Sequence, residues 1–244
     1  DKSDLFQGYH KTGDEFKNRD YRLMNYINGG VDPAPGSVTL DKGLAGYDCA
    51  KFKAYNYPTY RKANDESANY PVLRLAEVYL NYAEACYERY GKVTDTQLDG
   101  INELRARAGV AALTNKLVED NGLDMLEEIR RERAIELYME GARFDDLKRW
   151  GIAENALNTS RCGMVVGGDG YETEFKSADG TPTNRYAKNS FVWGEEKVQT
   201  GDGVLNCVVI SSAANHSFMK KHYLWPIPQK QIDLNPSLEQ NRGY

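Results

Sequence analysis

The stretch Pro71-Val72-Leu73-Arg74-Leu75-Ala76-Glu77-Val78-Tyr79-Leu80-Asn81-Tyr82-Ala83-Glu84-Ala85 decides how the rest of the chain is read. At 100° per residue, Val72, Leu75, Tyr79, Tyr82, Ala83, Cys86 and Tyr90 fall on one face, and Glu77, Asn81, Glu84 and Glu88 on the other. That spacing predicts one long amphipathic helix. Proline lacks a backbone N–H and has a fixed φ, so Pro71 suits the first turn; Gly91, free to take a positive φ, suits the end.

Downstream the helical signal repeats. Thr94 with Gln97 three residues later has capping-box spacing, and Leu98, Ile101, Leu104 and Ala108 carry the apolar stripe to Gly109. Gly100 inside this stripe weakens the helix, because glycine loses the most backbone entropy on ordering. Asp124 and Glu127 open a third helix with Leu126, Ile129 and Leu137 on one face, ended by Gly141; a shorter helix from Arg143 to Trp150 stops at Gly151. The expectation is a mainly α fold of stacked helix pairs, in the manner of a tetratricopeptide superhelix, with long irregular loops and a few short strands. No internal repeat and no match to the tetratricopeptide consensus accompanies it.

The flanks read differently. Residues 1–70 form a loop-rich opening segment in which Tyr21–Ile27 and Cys49–Tyr57 are weak extended runs, broken by Asn28-Gly29-Gly30, Pro33 and Pro35. Residues 71–150 are the helical core. Residues 151–221 are a loop insertion, punctuated by glycines from Gly163 to Gly203, with Val204–Ile210 its one convincing strand. Residues 222–244 are a terminal clasp: the prolines of Leu224-Trp225-Pro226-Ile227-Pro228 force an extended course, and Trp225 is expected to pin it on the helices. All four belong to a single domain.

Composition excludes some partners. Thirty-one basic against thirty-six acidic residues leave a net charge of -5, with no positive field to gather nucleic acid or anionic lipid. Seventeen tyrosines supply flat apolar rings with polar tips, suited to half-buried packing and to sugar or peptide surfaces. Cys49, Cys86, Cys162 and Cys207 make no C-x-x-C pair; Cys86 falls on the helical apolar face, and Cys162 and Cys207 lie in loop-rich sequence where they are able to pair. No apolar run approaches the roughly 18 residues of a membrane span. The start at Asp1 lacks the charged, apolar and small-residue order of a signal segment, as expected of a processed start or of a piece of a longer chain.

Glu136 and Glu140 have the spacing of a catalytic carboxylate pair, one helical turn apart. Arg130 and Arg133 share the face, and cations that near hold carboxylates ionised, the reverse of what a general acid needs. The group is therefore read as an ion-pair network that orients helices. His10, His216 and His222 show no metal-ligand spacing, and no G-x-S-x-G elbow is present. Gly167-Gly168-Asp169-Gly170 lacks the tail of a phosphate loop, and Asp169, Asp179 and Asp202 lack the spacing of a calcium loop. No cofactor and no metal is expected.

The segment 71–85 resembles the signature helix of the SusD/RagB family. Further matches follow in the family's order: Ile101-Asn102-Glu103-Leu104-Arg105-Ala106-Arg107-Ala108-Gly109, then Ile129-Arg130-Arg131-Glu132-Arg133 with Glu136-Leu137, then Glu140 to Trp150, and at the end Leu224 to Pro228, Asn235-Pro236 and Gln240 to Tyr244. The resemblance covers about 71–150 and 222–244. It implies the carboxy-terminal part of an outward-facing outer-membrane lipoprotein of Bacteroidota-like bacteria. Such a protein sits on a TonB-dependent, SusC-like transporter and captures oligosaccharides, or peptides in some members; its lipid anchor belongs to an amino-terminal half that this stretch does not contain. The matched motifs are scaffold, so no binding residue carries over by position.

The expected function is non-catalytic glycan capture, by aromatic stacking and hydrogen bonds to hydroxyls. Tyr47, Tyr55, Tyr57 and Tyr60 ahead of the long helix, and Tyr171, Tyr186 and Trp193 in the insertion, are the candidate ligand-binding residues. Trp193 leads, because Phe191-Val192-Trp193 lies between Asn189 and Glu195, polar groups able to address a sugar's hydroxyls. The rival readings are a peptide-binding member of the same family, a helical assembly scaffold and a hydrolase.

Overall fold

The structure, a computed structural model, describes residues 16–28, 47–49, 51–52, 71–166, 192–200 and 203–244. It is mainly helical. Asp20 caps a short helix α1 (Tyr21–Tyr26) by accepting the Arg22 N–H, where the sequence reads as extended. The reason is tertiary: the Tyr21 N–H donates to the Ala108 carbonyl at 3.0 Å, and the Tyr21 ring lies so close to Gly109 that a Cβ there would meet it at 2.6 Å. Strands β1 (Ile27–Asn28) and β2 (Asp48–Cys49) then pair antiparallel.

The signature stretch forms α2 (Leu75–Tyr90), closed by Gly91 at φ +66°, whose N–H returns to the Tyr87 carbonyl. Two expectations fail here. The helix begins four residues after Pro71, with Arg74 in extended conformation as its cap. Its inward face is Ala76, Leu80, Ala83, Glu84 and Cys86, while Val72, Leu75, Tyr82 and Tyr90 are exposed. Small alanines flanking Leu80 let α2 approach its neighbours, and Glu84 turns inward because Arg149 and Trp150 meet it there. Aromatic mass on the other flank misleads a hydrophobicity count, which does not know where the neighbours are.

The Thr94–Gln97 capping box is present, on a 3₁₀ turn (Asp95–Leu98) that leads into α3 (Asp99–Arg107). Helix α4 (Asn115–Asp120), capped by Thr114, was not foreseen. Asp124 caps α5 (Met125–Glu136) by accepting the Glu127 N–H at 2.9 Å. That helix ends at Glu136, with Leu137 as its cap, short of Gly141; Gly141, at φ +84°, instead opens α6 (Ala142–Arg149), and α7 (Ala153–Leu157) follows. Leu80, Leu98, Ile101, Leu113 and Ile129, drawn from α2 through α5, are fully buried and form the centre of the core.

The glycine-rich insertion holds more strand than its composition suggests. Strands β3 (Arg161–Val166), β4 (Val192–Thr200) and β5 (Gly203–Ser211) make an antiparallel sheet in the order β3-β5-β4. Strands pair with partners remote in sequence, so a weak local pattern is enough once the partner is in place. Cys162 faces Val209 and Cys207 faces Val165 in this register, and Cys162 is a free thiol, so the pairing considered for these two cysteines is not made.

The terminal segment is pinned, but not by Trp225, which is 71% exposed and whose ring meets Phe144 and Lys148 of α6. Phe218 does that work, edge-on to Phe144 and Tyr223, with its backbone held at both ends by Asn158. Prolines leave the extended 224–228 run short of ladder donors, and side chains supply what a strand would. Gln240 both donates to and accepts from the Ile227 backbone at 2.8 Å, Asn241 donates to the Trp225 carbonyl, and the Tyr244 hydroxyl donates to that of Leu224. After Pro228 the short helix α8 (Gln229–Leu234) leads to the end of the chain.

Candidate functional site

The last residue of α5, Glu136, and Glu140 in the turn that follows it are the carboxylates that a catalytic reading would use. Glu136 is fully buried; its Oε1 accepts from Arg74 at 2.7 Å and Arg107 at 2.5 Å, and its Oε2 from Arg22 at 2.9 Å. Glu140 takes the fork of Arg74 at 2.7 Å on each oxygen and also the Lys51 ammonium. Their partners are therefore not Arg130 and Arg133, as helical spacing suggests. Arg133 pairs with Asp146 at 2.7 Å and donates to Asn81, while Arg130 pairs with Glu127 and stacks over Trp150. A helix-wheel count sees only i+3 and i+4 neighbours, whereas these arginines and Lys51 arrive from other elements.

The consequence for chemistry is direct. Burial pushes the Glu84, Glu136 and Glu140 carboxyls up, but their hydrogen bonds from arginine, with Trp150 at Glu84 and Lys51 at Glu140, outweigh it and hold all three below the ordinary carboxylate value. A carboxyl held down in this way keeps no proton to give as a general acid near neutrality. The sign for stability follows from linkage: carboxyls depressed in the fold contribute stability that is fully present above their unfolded value and is lost progressively as pH falls from there through the lower folded value. Melting temperature is expected to be flat from pH 8 to pH 6 and to fall steeply below about pH 4.5, and a scan showing acid stabilisation contradicts this reading.

Beside this network a cleft of about 270 Å³ opens between α1, the end of α3 and the outer face of α5. Its floor is the Arg22–Glu132–Arg105 chain, with Arg22 at 2.5 Å and Arg105 at 2.9 Å from the same buried carboxylate. Leu23, Ile27, Val110 and Ile135 make apolar walls, Tyr26 and Tyr138 bring two rings, and Arg131 with its partner Glu128 forms a polar rim. Lys51 sits 4.3 Å from the Tyr26 ring centroid and donates to the Tyr138 carbonyl at 3.0 Å. Burial raises both phenols, so each is a neutral O–H near neutral pH.

Few of the aromatic candidates fall where the structure speaks of them. Tyr47 is half-buried with Phe16 edge-on to it at 6.3 Å, which makes it a packing ring more than an open platform. The backbone of Trp193 lies on β4 opposite Val208, and the ladder shifts register between Trp193 and Glu196, directly after it. Tyr55, Tyr57, Tyr60, Tyr171 and Tyr186 lie outside the described residues, as do His10, Asp169, Asp179, Asp202 and the Gly167–Gly170 run. Among the described residues no three His, Cys, Asp or Glu side chains gather into a metal-ligating group, and no helix is long and apolar enough to cross a membrane. The cleft residues escaped sequence reading. The one local signal was Asp20-x-Arg22, a short acid–base pair whose importance appears only when Glu132 meets it.

Comparison with known proteins completes the picture. The chain is 27% identical over 174 residues to the starch-binding protein SusD of Bacteroides thetaiotaomicron, a match covering 71% of this chain and 21% of that protein. A solved SusD-like carbohydrate binding protein of Bacteroides fragilis superposes with a TM-score of 0.64 at 28% identity, over 96% of this chain and 44% of that one. A second SusD-like protein of Bacteroides fragilis, at 24% identity and a TM-score of 0.61, covers 94% of this chain and 40% of its own, and speaks to the fold alone. The chain thus spans less than half the length of each of these relatives. Since the SusD family model matches residues 5–244, from the opening segment through the helical core to the pinned terminus, the chain belongs to the SusD family.

Proposed function

We propose that this chain is part of a non-catalytic oligosaccharide-capture protein, an outward-facing outer-membrane lipoprotein that passes its ligand to a TonB-dependent, SusC-like transporter. The observation that carries this reading is the family match over nearly the whole chain, together with relatives named for starch and carbohydrate binding. The geometry agrees in one respect that a hydrolase reading does not share: its most catalytic-looking carboxylates are spent on arginine and lysine. Trp193 remains the leading aromatic contact outside the scaffold. Its support is its setting in the sequence, an indole between Asn189 and Glu195, where a flat ring can cover a sugar's C–H face beside groups able to address its hydroxyls.

The test is a titration of the full-length protein with maltoheptaose, a panel of other neutral oligosaccharides and a panel of short peptides, followed by tryptophan fluorescence and by chromatography of the recovered ligand. Saturable binding of an oligosaccharide with no change in the ligand is the expected result, with Trp193→Ala weakening it about tenfold, the loss of roughly one ring-stacking contact of ~1.4 kcal/mol. Cleavage products, or saturation by peptides alone, overturn the reading.

A further inference from the structure

The α1–α5 cleft is built from parts that an ion-pair scaffold does not need. The Arg22–Glu132–Arg105 floor orients helices whether or not a recess stands open above it, yet two tyrosines and an Arg131–Glu128 rim line an open volume. At about 270 Å³ it lies just under the range of about 300–1,000 Å³ typical of small-molecule sites.

Its charge selects among ligands. Four arginines and three acids line it, and Arg22, Arg105 and Arg131 are engaged with Asp20, Glu132 and Glu128. A charged ligand would have to pull one of these groups from its partner, leaving an uncompensated charge behind. A neutral ligand has no such cost. Among neutral groups, one bearing hydroxyls both donates and accepts, which suits a rim where N–H donors, carboxylate oxygens and phenols stand side by side. The C–H faces of a sugar ring suit the walls of Leu23, Ile135 and the two tyrosines.

We infer that this cleft binds one neutral pyranose ring, with Arg131, Glu128 and the Tyr138 hydroxyl addressing its hydroxyls and the apolar walls covering its faces. The inference rests on the oligosaccharide-capture reading and assigns that ligand a seat on α1 and α5.

Ligand-observed NMR titration of the full-length protein tests it, with the methyl glycosides of glucose, galactose, mannose and xylose, methyl glucuronide, and maltoheptaose as probes. At least one neutral glycoside is expected to bind, with the glucuronide at least tenfold weaker. Ile135→Trp, which fills the cleft from a partly exposed position, is expected to weaken that glycoside at least tenfold. Tyr138→Phe, which keeps the ring and removes only the hydroxyl, is expected to weaken it threefold to tenfold, and it carries the test alone if Ile135→Trp does not melt like the wild type. Oligosaccharide binding that both folded variants leave unchanged overturns the cleft and spares the capture reading. Preference for the glucuronide overturns the cleft likewise. Failure of the wild type to bind any glycoside or oligosaccharide overturns both.

Discussion

Replacing Glu136 with Gln is expected to lower unfolding free energy by about 3–5 kcal/mol and the melting temperature by roughly 10 °C. The carboxylate is fully buried and receives three guanidinium groups, and the amide that replaces it keeps one acceptor oxygen and no charge. The cost falls unevenly on the partners. Arg107 is half exposed and can turn to water, and Arg74 keeps the fork of Glu140. Arg22 is 4% exposed and cannot turn to water; it keeps Asp20 and Glu132, but the buried cluster around it now holds one negative charge fewer against the same cations. Lys116→Ala is the control: its i,i+4 pair with Asp120 is largely in solvent, where screening and side-chain entropy cancel most of the attraction, and the change is expected to stay within about 0.5 kcal/mol. Paired thermal melts of the two variants decide. Equal shifts would mean that the attraction inside the network is consumed by the desolvation of its charges.

Gly100→Ala is expected to destabilise by about 1–3 kcal/mol even though alanine is the better helix former. Gly100 stands in the first turn of α3, so replacing it gains at most about 1 kcal/mol in backbone entropy. Against that, a Cβ at position 100 would stand 2.5 Å from Cγ and 2.9 Å from Cβ of Tyr79 on α2. Those atoms lie at the root of the side chain, so no rotation of a flexible tip relieves the contact and the two helices must separate. Overpacking therefore outweighs propensity. A chemical-denaturation midpoint at or above that of the wild type would show that Tyr79 swings outward at little cost. In the sequence Gly100 looks like a weakness in a helix; in the fold it is the surface on which the neighbouring helix rests.

The same contrast runs through the candidate site. That Glu136 and Glu140 belong to an ion-pair network was legible, because acids and bases dense along one helix cannot all be left unpaired. Which cations complete it was not. Arg22 lies 114 residues away from Glu136 in sequence, Arg74 lies 62 away and Arg107 lies 29 away, and no helical periodicity reports on such distances. The cleft is still less legible, since its floor is assembled from α1, α3 and α5 and none of the three carries a motif for it. Trp225 shows the opposite error. An indole just ahead of two prolines looks like an anchor, yet in the fold the anchoring falls to Phe218 and to the amide side chains of Asn158, Gln240 and Asn241.

What the sequence determined by itself is whatever is settled within a few residues. The Thr94 and Asp124 caps, the glycine stops at Gly91 and Gly151, and the apolar spacing of α2, α3 and α5 are fixed by backbone groups that must find partners locally, and they place the helices. Only the tertiary structure decided which side of α2 faces inward, because Leu80 with its alanines and the Leu75–Tyr82 side are both apolar enough, and the choice depends on what α3 and α5 present. The same holds for the arginines that meet Glu136 and for the recess beside them. Charge pairing and cavity shape are sums over neighbours distant in the chain, and such sums take a value only when the chain has closed on itself.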